Sequence, residues 1–265
     1  EAFRLIQDAT PYGRGRTWNR VVRNLVDAEA KVIVIDAMFD KPDHQTKNIK
    51  IYYEENNINS QIIDGDQVFN KSIEYAELKG TKIVLSGKRA VEENRIPQDY
   101  LLQPTKALIN TKYQPSVGLV NVGPDSDGFI RRYPIFLPIS GDSTLYYSLA
   151  IESVLAYNDY VGKKIFNMDS KKQLASVGPV EITTYGNSNM FQINYYGPIS
   201  STFNTFTRYP LSNILDTKEY NIGDQDADGN WLEDINWMDN YIDSTNPLYF
   251  LFSENNPFKD KIVVM

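Results

Sequence analysis

The feature that most narrows the fold is a run of four β-branched residues, Val32 to Ile35, ending directly on Asp36. A strand that is apolar at every position has no face to give to water. It belongs in a sheet covered on both sides, as parallel strands flanked by helices are. The neighbouring residues agree. Trp18, Val21, Val22, Leu25 and Ala28 keep the spacing of one buried helical face, and Thr17 stands where a cap would start that helix. After the strand, a polar stretch over residues 44–65 leads to a second helix that begins near Asp66. It carries Phe69, Ile73 and Ala76 on one side and stops at Gly80, and Lys82 to Ser86 reads as the next buried strand. Helix, strand, helix, strand with short connections predicts an α/β layer with parallel pairing.

Farther along, the pattern changes. Residues 116–122 and 129–136 flank a turn-forming cluster, Pro124 to Gly128, and read as a β-hairpin. A third helix is expected over 146–157, with Leu149, Ala150, Ser153 and Val154 on one face. Two β-type runs follow at 180–185 and 190–196, then a short amphipathic piece at 209–215 and a long acidic loop before the last strand. No composition shift and no internal repeat divides the chain. The expected architecture is a single α/β domain over residues 1–265: a mixed, largely parallel sheet flanked by helices, with a β-hairpin in the middle.

Composition bounds the chemistry. With 265 residues, 42% of them hydrophobic, the chain can bury a sizeable core. A net charge of -7 argues against a large electrostatic footprint for nucleic acid. The absence of cysteine removes disulfides, thiolate metal sites and cysteine nucleophiles, and suits an extracytoplasmic protein. The single histidine, His44, excludes a zinc site of several imidazoles; it lies in a polar loop and is expected to be exposed. No run approaches the roughly 18–20 apolar residues of a membrane span. A sequence that begins without methionine and ends on a strand-like run reads as a segment of something longer.

Three stretches could carry a ligand. Asp224, Asp226 and Asp228 alternate before Gly229 like the first half of a calcium loop, with the Asn230 carbonyl and Asp234 to complete it. The glutamate that closes an EF-hand is replaced by Ile235, so a structural calcium ion and a plain solvated turn are both open readings. Residues 13–16, Gly-Arg-Gly-Arg, resemble a phosphate loop loosely, without the lysine and hydroxyl of a P-loop or the spacing of a dinucleotide fingerprint. Asp36 and Asp40 follow a strand whose carboxyl end should face a crevice. There Asp36 would serve as a metal ligand, a general base or a cap on nearby amides. The neighbouring strand end offers Ser86 and Lys88.

Several blocks, in order, resemble the CHASE2 family of extracytoplasmic sensory domains. Residues 16–20, Arg-Thr-Trp-Asn-Arg, with the amphipathic helix after them, are similar to a Trp-Pro-x-x-Arg block, with Asn19 where the family often has proline. Residues 30–43 resemble its strand, Phe-Asp and Pro block. Residues 117–134 resemble its Asn-Val-x-x-Asp-x-Asp-Gly-x-x-Arg-Arg-x-Pro signature, and residues 193–198 and 258–264 its late blocks. Residues 221–256 look like an acidic insertion.

The resemblance implies a sensory module of a bacterial transmembrane receptor. Membrane helices would flank it, and the cytoplasmic output would be a nucleotide cyclase, a histidine kinase or a serine/threonine kinase. It leaves room for a homodimer and names no organic cofactor or catalytic set. From the residues themselves, the expected ligand pocket combines Trp18 and Phe39 as aromatic wall, Asp36 as acceptor and Arg131 as cationic donor. The alternatives are a metal-dependent hydrolase using Asp36 with Asp40 or Asp43, and a calcium-stapled binding or adhesion module.

Overall fold

The computed structural model describes residues 12–92, 98–160, 162–195, 206–222 and 236–265. A π-helical turn, Arg14–Trp18, runs into helix α1 (Asn19–Asp27). Strand β1 (Val32–Ile35), α2 (His44–Glu55), α3 (Gly65–Lys79) and β2 (Lys82–Glu92) follow. After β3 (Gln98–Leu102), a short α4 (Lys106–Ile109) and β4 (Ser116–Leu119) complete the first half.

The second half opens with three short strands, β5 (Arg132–Pro134), β6 (Phe136–Leu137) and β7 (Tyr146–Tyr147). Helix α5 (Leu149–Tyr157) precedes a meander of β8 (Phe166–Asp169), β9 (Leu174–Val177) and β10 (Val180–Thr183). Then come β11 (Met190–Gln192), the short helices α6 (Leu211–Leu215), α7 (Asp239–Ile242) and α8 (Tyr249–Phe252), and β12 (Ile262–Val264).

The main sheet is mixed and mostly parallel. Strands β12, β1, β2 and β4 lie side by side in parallel, and β3 pairs antiparallel with the distal half of β2. All four residues of β1 are buried, and alternation sends them to two different cores. Ile33 and Ile35 join Val21, Leu25, Phe69 and Ile73 of α1 and α3, while Val32 and Val34 join Val84 and Leu149 on the face covered by α5. The helix–sheet–helix layering expected from the continuous apolar run is therefore present. Gly80 ends α3 in the left-handed conformation, φ 88°, where a glycine pays no steric penalty.

Helix α5 is covered on two sides. Leu149 meets the sheet, whereas Ile151 and Leu155 pack with Ile135, Tyr147, Ala175 and Val177 in a separate core under the meander. Of the face expected to be buried, Leu149 and Ser153 are buried but Ala150 and Val154 are exposed, because Ile151, Glu152 and Leu155 turn inward instead; the helix begins at Leu149, and Tyr146–Tyr147 form strand. Glu152 is buried on this helix and accepts two hydrogen bonds from Lys164 Nζ, at 2.9 and 2.6 Å. Burial raises its pKa, and the lysine opposes that rise.

Four local expectations are corrected. Runs 116–122 and 129–136 do contain strands, β4 and β5, with a turn between them, but their partners are β2 and β11 rather than each other. β4 is occupied on both edges: Asn121 continues its contact with β2, its side-chain amide donating to Arg89 O at 2.8 Å and its carbonyl accepting from Arg89 N at 2.6 Å, and Leu119 bridges to Ser148 on the other side. Hairpins occur later in the chain, at β6–β7 and in the meander. Thr17 lies inside the π turn rather than capping α1, and the polar stretch after residue 44 holds α2. His44 is thus half-buried at a helix start, not an exposed loop residue.

Gly118 shows how tightly α5 and β4 meet. A Cβ there would lie 2.5 Å from Leu149 Cα and 2.9 Å from Leu149 N, both backbone atoms that cannot rotate away. Gly118→Ala is expected to destabilise the domain by about 1–3 kcal/mol, as overpacked cores do, with a lower urea midpoint as the readout.

Candidate functional site

Arginine is among the residues least often buried, yet Arg14 is 5% exposed, beside Asp43 at 4% and Asp66 at 6%. The π turn brings it there. Trp18 N–H and Asn19 N–H reach back five residues, to Gly13 O and Arg14 O. A proline in place of Asn19 would lack that second donor. Gly15 lets the turn approach α3 closely: a Cβ on it would sit 2.9 Å from Gly65 Cα. The Gly-Arg-Gly-Arg segment thus serves close backbone packing and delivers a buried guanidinium.

Two helices begin at that guanidinium. Arg14 Nε lies 2.7 Å from Asp66 Oδ1 at the start of α3, and Arg14 N donates to Asp43 Oδ1 at 2.9 Å. Asp43 caps α2, accepting at Oδ2 from Thr46 N and Thr46 Oγ1, both at 2.9 Å. Thr46 Oγ1 in turn accepts from Gly65 N at 2.7 Å, and Arg14 Nη2 donates to Lys41 O at 2.5 Å. Burial dominates the Arg14–Asp66 pair, lowering the arginine pKa and raising the carboxylate's. Asp43 goes the other way. Burial would raise it, but hydrogen bonds from Arg14 N, Thr46 N and Thr46 Oγ1, together with the Arg14 charge, hold it below the ordinary carboxylate range.

Above this ionic node the loop after β1 folds over an aromatic wall. Phe39 is 7% exposed, meets Trp18 edge-on at 5.6 Å and Phe69 at 5.5 Å, and carries the Arg14 guanidinium over its ring at 5.0 Å. Ser86 Oγ ties the loop to β2 by donating to Ala37 O at 2.8 Å, and Thr105 N donates to Phe39 O at 2.8 Å. Between the π turn and this loop is a cavity of about 450 Å³, bordered by Tyr12, Trp18, Met38, Phe39, Asp40 and His44, with Arg14 and Asp43 on its inner side.

The structure brings Trp18 and Phe39 together on this cavity and leaves Asp36 and Arg131 elsewhere. Asp36 is exposed at the end of β1, its N–H bonded to Met265 O at 2.8 Å, near enough to Tyr133 for its charge to help burial raise that phenol's pKa. Arg131 donates to Asp127 at 2.8 Å and to Asp125 at 3.4 Å, while Arg132 Nε donates to Asp125 at 2.8 Å. These four residues border a second cleft, of about 300 Å³, with Tyr185 and Gln192. Hydrogen bonds from Arg132 and Arg131 hold Asp125 below the usual carboxylate range. Asp224, Asp226, Asp228, Asn230 and Asp234 lie outside the described residues. Among the described residues no group of three or more His, Asp or Glu side chains is placed to hold a metal ion, and the Asp43 of the hydrolase alternative is committed to Arg14 and Thr46.

The domain thus carries a cavity with aromatic walls at the carboxyl end of a parallel strand, the place where open α/β sheets commonly bind ligands. A profile described as the CHASE2 domain matches residues 7–265, and the chain belongs to that family of extracytoplasmic sensory domains. No curated protein and no solved structure matches it. No described helix is long and apolar enough to cross a membrane. The block over residues 121–134 has a physical reading here: Asn121 bonds to the backbone of Arg89 on β2, Gly128 turns the chain at φ 84°, and two aspartates hold two arginines.

Arg14, Asp43, Thr46 and Asp66 were not singled out together by sequence reasoning. The signal available was the Asp43-x-x-Thr46 spacing of a helix cap. Asp43→Asn is expected to cost about 3 kcal/mol at neutral pH, the loss typical of a broken buried ionic set. Because the folded pKa of Asp43 is depressed, its contribution is complete above the ordinary carboxylate value and disappears as pH falls through the lowered one. Urea unfolding at a series of pH values should therefore show the wild-type and variant curves converging in acid.

Proposed function

We propose that this chain is the extracytoplasmic ligand-sensing domain of a bacterial transmembrane receptor, and that the cavity between Trp18 and Phe39 takes a small-molecule cue. The observation that carries the reading is the cavity itself. It is of ligand size and walled by aromatic rings, and it sits directly on the ionic node where α2 and α3 begin. An occupant that favours one arrangement of the loop after β1 shifts the equilibrium between two states by its difference in affinity for them. The Asp43 cap and the Arg14–Asp66 pair connect that loop to both helices, so the shift would travel as a change in how the helices seat on the sheet. Adjoining membrane helices would carry it to a cytoplasmic cyclase or kinase.

A thermal-shift screen of the purified domain against small metabolites tests this. A binding metabolite is expected to raise Tm by several degrees, as ligand held well above its Kd does for a domain of this size. Trp18→Leu should abolish the rise, whereas Asp36→Ala and Arg131→Ala should leave it intact. Stabilisation that survives Trp18→Leu, or a screen with no stabilising metabolite, would sink the cavity reading.

A further inference from the structure

The Trp18–Phe39 cavity has a chemical bias that its size does not reveal. Its walls are the half-buried rings of Tyr12 and Trp18, the thioether of Met38 and the edge of Phe39. Two polar groups on it stand without partners among the described residues. The Asp40 carboxylate makes no hydrogen bond and no ion pair, and lies close enough to Arg14 to act on its charge. His44 Nε2 is buried with no hydrogen-bond partner. The cations on the cavity are Lys41, whose side chain is exposed to water, and Arg14. Arg14 is held by Asp66, Asp43 and the Lys41 carbonyl, so it has little to offer an incoming anion.

Resting on the reading of this cavity as the sensory site, we propose that its ligand is an organic amine, an ammonium group on a compact apolar or aromatic body. A carboxylate beside aromatic faces is the recognition chemistry of ammonium ions. The carboxylate supplies the counter-charge and the rings supply electron-rich faces that attract a cation. The chain uses the same wall this way itself, with the Arg14 guanidinium set over Phe39 at 5.0 Å. In the bound state the ammonium N–H groups donate to Asp40, while the body lies along Trp18 and Met38. An anionic ligand of the same shape would face Asp40 with only the solvent-exposed Lys41 to meet it, where water screens the attraction, and a neutral one would leave Asp40 unpaired.

The test is calorimetric titration of the purified domain with three probes of one shape: phenethylammonium, 2-phenylethanol and 3-phenylpropanoate. Phenethylammonium is expected to bind most tightly, and Asp40→Asn to weaken it by about tenfold or more, the loss expected when a partly desolvated charge partner is removed. Asp40 makes no hydrogen bond or ion pair among the described residues, so the variant should melt close to the wild type. Tight binding of the alcohol or the carboxylate, equal to the amine and lost in Trp18→Leu, would leave the cavity standing and overturn the amine preference. No binding by any of the three would also overturn it. In that case the metabolite screen separates the two ideas, since a Trp18-dependent hit of another class preserves the sensory reading and its absence removes both.

Discussion

Arg14 is the constraint around which this end of the molecule is arranged. A guanidinium taken out of water must be met by charge and by hydrogen-bond acceptors, and the fold supplies them from three places: Asp43 at the start of α2, Asp66 at the start of α3, and the Lys41 carbonyl in the loop between β1 and α2. Each of those partners is itself fixed, Asp43 by Thr46 and Asp66 by Asp43 N–H at 3.3 Å. Removing any one leaves an uncompensated group in a dry environment. The cost of that is what holds the π turn, two helix starts and the β1 loop in one register. Such a node adds less to net stability than an apolar core of the same volume would, but it specifies geometry sharply.

That specificity matters at the cavity, because the same loop forms its wall. Phe39 is pinned by two ring contacts, a cation and a backbone hydrogen bond, so it presents a rigid face. Trp18 opposite it is fixed by the turn that carries Arg14. A site whose walls are set before a ligand arrives loses less freedom on binding.

Much of the layering was legible from residues alone. Val32–Ile35 is apolar throughout because both faces are covered, and α3 shows its buried stripe and its glycine stop without ambiguity. Trp18 and Phe39 could be paired because aromatic residues flanking a strand end have few other places to go. What could not be read were partners set by distant chain. The bond from Arg14 to Asp43 spans 29 residues, that from Asp43 to Asp66 spans 23, and nothing local distinguishes Arg14 from the exposed Arg16. The pairing of β5 with β11, and of β4 with β2 and Ser148, is of the same kind, set by chain far along the sequence. Arg131 lies away from Trp18 and Phe39 for a related reason: its partners, Asp125 and Asp127, lie four to six residues away and take its charge locally, at a separate cleft.

Helix α5 deserves a mechanical reading. It shows Leu149 to the sheet and Ile151 and Leu155 to the meander, and at Gly118 it rests backbone against backbone on β4 with no side chain to cushion the contact. The two hydrophobic cores therefore share one stiff member. Tilting the meander would turn α5 about that bare contact, and the turn would be felt at β4 and, through it, along the whole edge of β2. The meander is thus coupled to the sheet like the long arm of a lever whose fulcrum is a single glycine.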